Sequence, residues 1–582
     1  MTALRFLVLF LLSGLPVQAV TLHGQLRHLA EQQPLMLDAL RYQTGVGETF
    51  AITRASYLLS GFALQRGDGS WLELPRQVVW MDVVKRRQQF ALATVPTGRY
   101  RALRFHLGLD AATNAANPAQ YAPDHPLNPN VNGLHWSWQG GYIFLALEGS
   151  WRGANGVPSG FSYHFARDAN RTAIELKGAF DLTGDATAVI DFDLAAVLNG
   201  QRLLSFAKDG VSTHSKPGDP IAASLAANLP AAFALKSVTS HVPEITRSAD
   251  LKPTDLLAKI TPFPFKMSGT FPLPALPRDN PLIVERVALG ERLFNDTALS
   301  RDGTLSCASC HPRETAFADP RKLSVGVDGR IGTRHGMPLF NLAWKPSFFW
   351  DGRARSLREQ VLVPIQDHLE MDETLDHVVR KLGKDYGGGF ERAFGSTEVT
   401  PERIGLALEN FLLTLTSHDS KFDRAMNGGE KLSPEEQRGF ELFMMEREPR
   451  MGSLGADCFH CHGGALFTDH QFRNNGLAID AADLGRFKVT KSAIDRGTFA
   501  TPSLRNVAVT APYMHDGRFS TLEQVMDHYS EGVQRTDTLD PNLAKHPVGG
   551  LHLTAEDKRS LIAFLKTLTD IRFTEKAGPD RN

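Results

Sequence analysis

In 582 residues the chain has only four cysteines, too few for a disulfide-stapled scaffold. It has no excess of charge: 63 Lys and Arg face 64 Asp and Glu, a formal net charge of −1. That balance excludes a nucleic-acid footprint and a polybasic membrane patch. Beyond the N-terminal leader it lacks any apolar run long enough to cross a bilayer, so no integral membrane segment is expected. The leader, MTALRFLVLFLLSGLPVQA, has an early Arg5, an apolar run and a small-residue end at Val17-Gln18-Ala19. It reads as a secretory signal, residues 1–19, and implies a periplasmic or secreted protein. No cysteine follows it, which argues against a lipid anchor there. The length allows several domains with their own cores.

All four cysteines stand in two pentapeptides, Cys307-Ala-Ser-Cys310-His311 and Cys458-Phe-His-Cys461-His462. Each reads C-x-x-C-H, the attachment motif of a c-type haem. The thiols of Cys307, Cys310, Cys458 and Cys461 would bond covalently to two haem c groups, and His311 and His462 would bind the irons. A zinc site or two short-range disulfides are the alternatives. A zinc site would need no histidine directly after each pair.

The fold class read from the pattern is multidomain: an N-terminal all-β sandwich followed by a mainly α-helical tandem of cytochrome c-like units. Residues 20–242 contain short strand-like runs such as Tyr142–Glu148 and Ala188–Leu194, bounded by turn residues. Prolines then crowd residues 243–280, the composition of a semi-rigid, mostly extended linker. Residues 281–430 and 431–582 form the two haem domains. Ser433-Pro434-Glu435-Glu436 is a capping box opening a helix to Met444. Thr554-Ala-Glu-Asp557 opens the last helix, with Leu561, Phe564, Leu565 and Leu568 on one face.

The haem region repeats itself. Gly290-Glu-Arg-Leu293-Phe294 precedes the first motif and Gly439-Phe-Glu-Leu442-Phe443 the second. Trp350-Asp-Gly-Arg353 follows the first, and His515-Asp-Gly-Arg518 the second. Counted from these D-G-R turns, Pro364 falls where Tyr529 falls. Proline cannot ligate iron and tyrosine can, so the first iron is expected to keep an open side and the second to be capped. Gln360 and Glu370 lie near Pro364: the amide could hold bound oxygen, and the carboxylate could shuttle the proton of a peroxide. Trp350 could relay electrons between haems or simply pack.

On these residues the region of about 280–570 resembles the di-haem cytochrome c peroxidase/MauG family. The segments LGERLFNDTALSRDGTLSCASCH, FFWDGRARSLREQVLVPIQDHLEM and TPSLRNVAVTAPYMHDGRFSTLEQVMDHY carry the match. The resemblance implies a haem peroxidase-type oxidoreductase whose first haem, on His311, reacts with hydrogen peroxide. It maps the distal residues onto Gln360, Pro364 and Glu370 and the inter-haem tryptophan onto Trp350. It gives the second iron a distal ligand at Tyr529, with Met526 one turn away as competitor. A hard tyrosine oxygen favours oxidised iron, whereas methionine raises the potential. The family also holds calcium, for which the carbonyls of Thr510 and Pro512 match, while its asparagine falls near His335. No histidine stands where resting peroxidases block the first haem.

The segment HPLNPNVNGLHWSWQGGYIFLALEG, with His28 and Phe161-Ser-Tyr-His164-Phe, is similar to the MbnP-like copper-binding family. Copper would rest on nitrogen and oxygen ligands, with His28, His125 and His164 as candidates. Members of that family pair with MauG-like partners, MbnH among them, that oxidise a tryptophan to kynurenine. Trp71, Trp80, Trp136, Trp138 and Trp151 lie in this domain, and Trp136 and Trp138 are the expected targets. The function so read is peroxide-driven oxidation of tryptophan in the protein's own copper-binding domain. The alternatives are a peroxide-detoxifying cytochrome c peroxidase fed by a small electron-donor protein, and a non-enzymatic copper-binding electron carrier.

Overall fold

The computed structural model describes residues 19–574 except 38–39, 137–139, 154–155, 157, 241–260, 450–451 and 479–481. The leader up to residue 18 and Trp138 therefore lie outside the described residues. Two compact units are present. One comprises the residues up to Asn114, Tyr142–Leu147 and Tyr163–Arg247; the other comprises Ala115–Gly141, Glu148–Ser162 and the residues from Ser248 on.

The first unit is built on two sheets. In the smaller, Ala19–Ala30 lies between Ala186–Asp193, which pairs with it in parallel from Leu22↔Ala186 to Leu29↔Asp193, and Gln89–Pro96, which is antiparallel. In the larger, the long strand Thr49–Arg66 pairs with Gly98–Leu107 and Val78–Asp82. Aromatic side chains of the two sheets meet: Tyr57 on Phe192 at 5.2 Å, Phe105 on Phe233 at 5.5 Å and Phe62 on Phe90 at 5.7 Å between ring centroids. Rings of this size supply most of the apolar area that holds a sandwich closed. The strand-like runs of the sequence fall on Ile143–Arg152 and Ala186–Asp193.

The helical unit carries the duplication into three dimensions. Helix Val284–Phe294 crosses Pro401–Leu413, and Pro434–Met444 crosses Ala555–Lys566. Both crossings are as close as backbone permits. A Cβ on Gly290 would sit 2.0 Å from the Ala407 carbonyl oxygen, and one on Gly439 would sit 1.9 Å from that of Ser560. Only glycine fits at either point. Ser433 and Thr554 cap their helices with the reciprocal box read from the sequence. Leu561, Phe564, Leu565 and Leu568 are buried.

Within the proline-rich stretch, residues 261–280 lie against this unit. Phe271 is fully buried edge-on to Trp344, whose indole N–H donates to the Pro272 carbonyl at 2.7 Å. The amide of Asn280 donates to the Leu406 carbonyl at 2.9 Å and to Glu409 at 2.8 Å.

Candidate functional site

A short helix, Cys307–Cys310, presents both thiols of the first motif, and its N-cap is the Ser306–Ser309 capping box. The next residue, His311, has Nδ1 2.7 Å from the Phe317 carbonyl. A carbonyl only accepts, so Nδ1 carries the proton and Nε2 is left with its lone pair, the form that ligates iron. Burial lowers the His311 pKa, which keeps the ring neutral. His462 repeats the arrangement, with Nδ1 3.3 Å from the Phe467 carbonyl. All four cysteines are unbridged thiols, and burial pushes those of Cys307 and Cys458 up to about 12. Among the described residues no cluster of metal-ligating side chains includes a cysteine.

A cavity opens beside Cys307, Cys310 and His311, and Gln360, Pro364 and Glu370 are among the residues that line it. Apolar residues, among them Phe294, Leu408 and Leu412, complete the wall. Thiols, imidazole and apolar wall together fit a covalently held haem. Glu370 is brought in by its own loop: its N–H donates to the Asp367 carbonyl at 2.9 Å, and its carbonyl accepts from Val327 at 2.8 Å. Burial, aided by the nearby Asp367, raises its carboxyl to about 7. Arg321 donates to Cys310 Sγ at 3.3 Å and pairs with the buried Asp319.

The second site has different neighbours. Tyr529 stands in a π-helical turn, His528–Gly532. Burial raises its hydroxyl to about 12, and Cys461 and Cys458 lie near enough to add to that shift. Its oxygen is 3.5 Å from Asn475 Nδ2, which is also 3.4 Å from Met514 Sδ. Met526 is buried one turn earlier. Sequence reasoning missed Asn475 and Met514; Asn475 is 54 positions from Tyr529, so no local pattern joins them.

Trp350 is buried where the halves of the helical unit meet. Its indole N–H donates to the His335 carbonyl at 2.9 Å and its own carbonyl accepts from Ala500 at 2.8 Å. Its ring is 6.5 Å, edge-on, from that of His515, which stacks on Phe499 at 3.6 Å. The two D-G-R turns are reciprocal: a Cβ on Gly352 would strike Phe472, and one on Gly517 the Lys322 carbonyl, each in the opposite half. Of the calcium candidates, Thr510 precedes and Pro512 belongs to a cis Ala511–Pro512 peptide, and His335 Nδ1 lies 3.1 Å from the Arg321 carbonyl.

The three copper candidates are not gathered into one ligand set. His28 Nε2 is 2.8 Å from the Tyr57 hydroxyl, and burial lowers its pKa to about 4. His164 Nδ1 is 3.2 Å from Nε2 of His214, a residue the sequence did not single out. His125 belongs to the other compact unit; its Nδ1 accepts from Leu127 at 3.0 Å and its ring stacks on Tyr121. Among the described residues no cluster of metal-ligating side chains contains two of the three. Trp136, also in that unit, is buried, and its backbone N–H donates to the Gly141 carbonyl at 3.0 Å.

The family model for di-haem cytochrome c peroxidase matches residues 284–431, and the MbnP model matches residues 18–215. Methylamine utilization protein MauG of Methylorubrum extorquens is 38% identical over 298 residues, 50% of this chain and 80% of that protein. Cytochrome c551 peroxidase of Pseudomonas aeruginosa is 32% identical over 304 residues, 50% of this chain and 81% of that protein. A crystal structure described as a MauG-like protein associated with microbial copper homeostasis is 35% identical. The match covers 53% of this chain and 95% of that one, with a TM-score of 0.48. Relatives named as peroxidases and MauG are haem oxidoreductases, and two haem c groups are the family's cofactors. The chain is a haem enzyme that belongs to the di-haem cytochrome c peroxidase/MauG family, with an MbnP domain at its N-terminal end.

Proposed function

We propose that the protein reacts with hydrogen peroxide at the His311 site and directs the oxidising equivalents to tryptophan in its own N-terminal domain. The observation that carries this reading is the contrast between the two sites. One has Gln360, Pro364 and Glu370 around an open cavity; the other has Tyr529 beside Cys458 and Cys461.

Two haem c groups, held by Cys307, Cys310 and His311 and by Cys458, Cys461, His462 and Tyr529, supply the peroxide and one-electron chemistry. Pro364 presents no ligating atom and leaves room for the peroxide. The Gln360 amide orients it by donating a hydrogen bond. Glu370, with its carboxyl raised to about 7, accepts one peroxide proton at its carboxylate oxygen and returns it to the departing oxygen. The apolar wall around them limits competing water. Tyr529 would help hold the second group through its phenolic oxygen, with the Asn475 amide 3.5 Å from that oxygen. Trp350, in touch with both halves, serves as the electron relay.

Trp136 and Trp138 are the targets in this reading. Indole nitrogen is only a donor, and ring opening to a ketone and an aniline creates metal ligands that could join His28, His125 or His164 around copper. Domain boundaries at 20–242, 243–280, 281–430 and 431–582, calcium at the Thr510 and Pro512 carbonyls, and action in the periplasm or outside the cell complete the proposal. Mass spectrometry of the peroxide-treated holoprotein tests it: Trp136 or Trp138 should gain the mass of an oxidised or ring-opened product. Two unmodified tryptophans would sink it.

The similarity to named peroxidases favours a second reading, peroxide removal with electrons from a small redox protein. Rapid steady-state turnover with a reduced small cytochrome, leaving both tryptophans intact, would establish that reading instead.

A further inference from the structure

The two haem motifs differ at the residues directly around their cysteines. In the first, Ser306 precedes Cys307 and Ser309 precedes Cys310: Ser306 N–H donates to Ser309 Oγ at 3.0 Å, the hydroxyls are 3.3 Å apart, and the Ser309 carbonyl accepts from Arg321 at 3.4 Å. The serine pair is neutral. In the second, the same two positions hold Asp457 and His460, and a buried charge network grows from them.

Lys545 Nζ lies 3.1 Å from Asp457 Oδ2, 3.5 Å from Glu446 Oε1 and 3.2 Å from His460 Nε2. His546 Nε2 is 3.0 Å from Asp457 Oδ2, and the Arg447 backbone N–H donates to Asp457 Oδ1 at 3.0 Å. None of these five side chains is more than 6% exposed. Glu446, Asp457 and His460 are close enough together to hold a metal ion. Lys545 places its ammonium among those same ligand atoms, so the chain supplies the cation itself. Burial alone would raise the Asp457 carboxyl. Lys545, His460 and His546 more than offset that and hold it well below the usual carboxylate range. A permanent carboxylate thus stands one residue from a haem-bearing cysteine, where screening by solvent is weak.

We propose that Asp457 and Lys545 set the reduction potential of the second haem, from a position that a serine holds in the first half. Asp457 and Glu446 favour the oxidised, more positive iron and lower the potential; Lys545 opposes them and limits the drop. The inference rests on reading the Cys458–Cys461 site as a haem that stores oxidising equivalents. It gives that site an electrostatic bias beyond its axial ligand. Asp457 and Lys545 act through the field at the haem and are positioning residues.

Spectroelectrochemical titration of the full holoprotein tests this, with the two haems followed separately. Asp457→Asn should raise the second-haem midpoint and Lys545→Met should lower it. Each shift should reach about 59 mV, a tenfold change in the one-electron equilibrium. Lys545→Arg should restore the wild-type value, and the first haem should not move. Glu446→Gln leaves the haem-binding segment untouched and covers the case in which Asp457→Asn fails to fold. It should raise the potential by less. Shifts of the same sign in the Asp457 and Lys545 variants, equal movement of both haems, or no movement in Glu446→Gln would overturn the proposal. Unmodified tryptophans with shifted potentials would refute the oxidation reading alone. Modified tryptophans with unmoved potentials would refute this one alone.

Discussion

The two halves of the helical unit share a scaffold and part company at the iron. Each has a crossing of two helices through a glycine, at Gly290 and at Gly439, with the Cβ position filled by a carbonyl of the partner helix. Each has a C-x-x-C-H turn whose histidine is oriented by a phenylalanine carbonyl. Each has a D-G-R turn that reaches into the other half. Near the first motif a cavity is lined by Pro364, Gln360 and Glu370, and near the cysteines of the second stands Tyr529. Beside the cysteines, the first half has two serines and the Arg321–Asp319 pair, and the second has Asp457, His460 and Lys545. Duplication supplies two equivalent frames, and a handful of side chains makes their surroundings differ.

That contrast can be broken at several points. The largest effect is expected from Pro364→Met, which sets a thioether opposite His311. The rate of reaction with peroxide, followed by stopped-flow absorbance, should fall by ~10³-fold, about 4 kcal/mol in barrier. A rate within tenfold of the native protein would mean that the open side is not the reactive one. Glu370→Gln should cost ~10²-fold. The native carboxyl is raised to about 7, so the base form accumulates only above that pH, and the rate should rise through an inflection near 7. The Gln variant should lose the inflection. The same shift has a sign in stability. Above the usual 4.5 the unfolded chain has released a proton that the folded protein keeps until about 7. Stability therefore falls as pH rises across that window, and Glu370→Gln should flatten the fall in denaturant titrations.

Tyr529→Met should act on the other half. Exchange of a hard oxygen for a thioether raises the second-haem potential, while the peroxide rate at the first site stays within a few-fold. An unchanged potential would show that Tyr529 is not the ligand. Gly290→Ala and Gly439→Ala sharpen the comparison from the scaffold side. Each forces a backbone carbonyl aside and should cost ~1–3 kcal/mol by chemical denaturation. A large cost in one half and none in the other would break the equivalence of the frames. The smallest effect belongs to Ser306→Ala, which removes a helix cap worth ~1 kcal/mol and leaves both potentials in place.

Much of this was legible in the chain itself. The helix boundaries at Ser433 and Thr554 carry their own caps, so short-range hydrogen bonding sets them wherever the helix packs. The offset that aligns Pro364 with Tyr529 is a property of the repeat. The copper candidates fared differently. His28 faces Tyr57, and His164 faces His214, which no spacing singled out. In a sheet, partners are chosen by register between distant strands, so a histidine's neighbours cannot be counted off along its own strand.

By itself the sequence determined the two haem attachments, because both thiols and the imidazole of each site lie within five consecutive residues on one turn. It also determined the family and the order of sandwich and helical repeat, and it proposed the inequality of the two distal positions. Only the tertiary structure decided the surroundings that make that inequality chemical. It buried Glu370 enough to raise its carboxyl, set Asn475 beside Tyr529, and carried Lys545 across 85 positions to His460 and its neighbour Asp457. A pKa or a local field depends on which groups share a volume without water, and that is fixed by packing between segments distant along the chain.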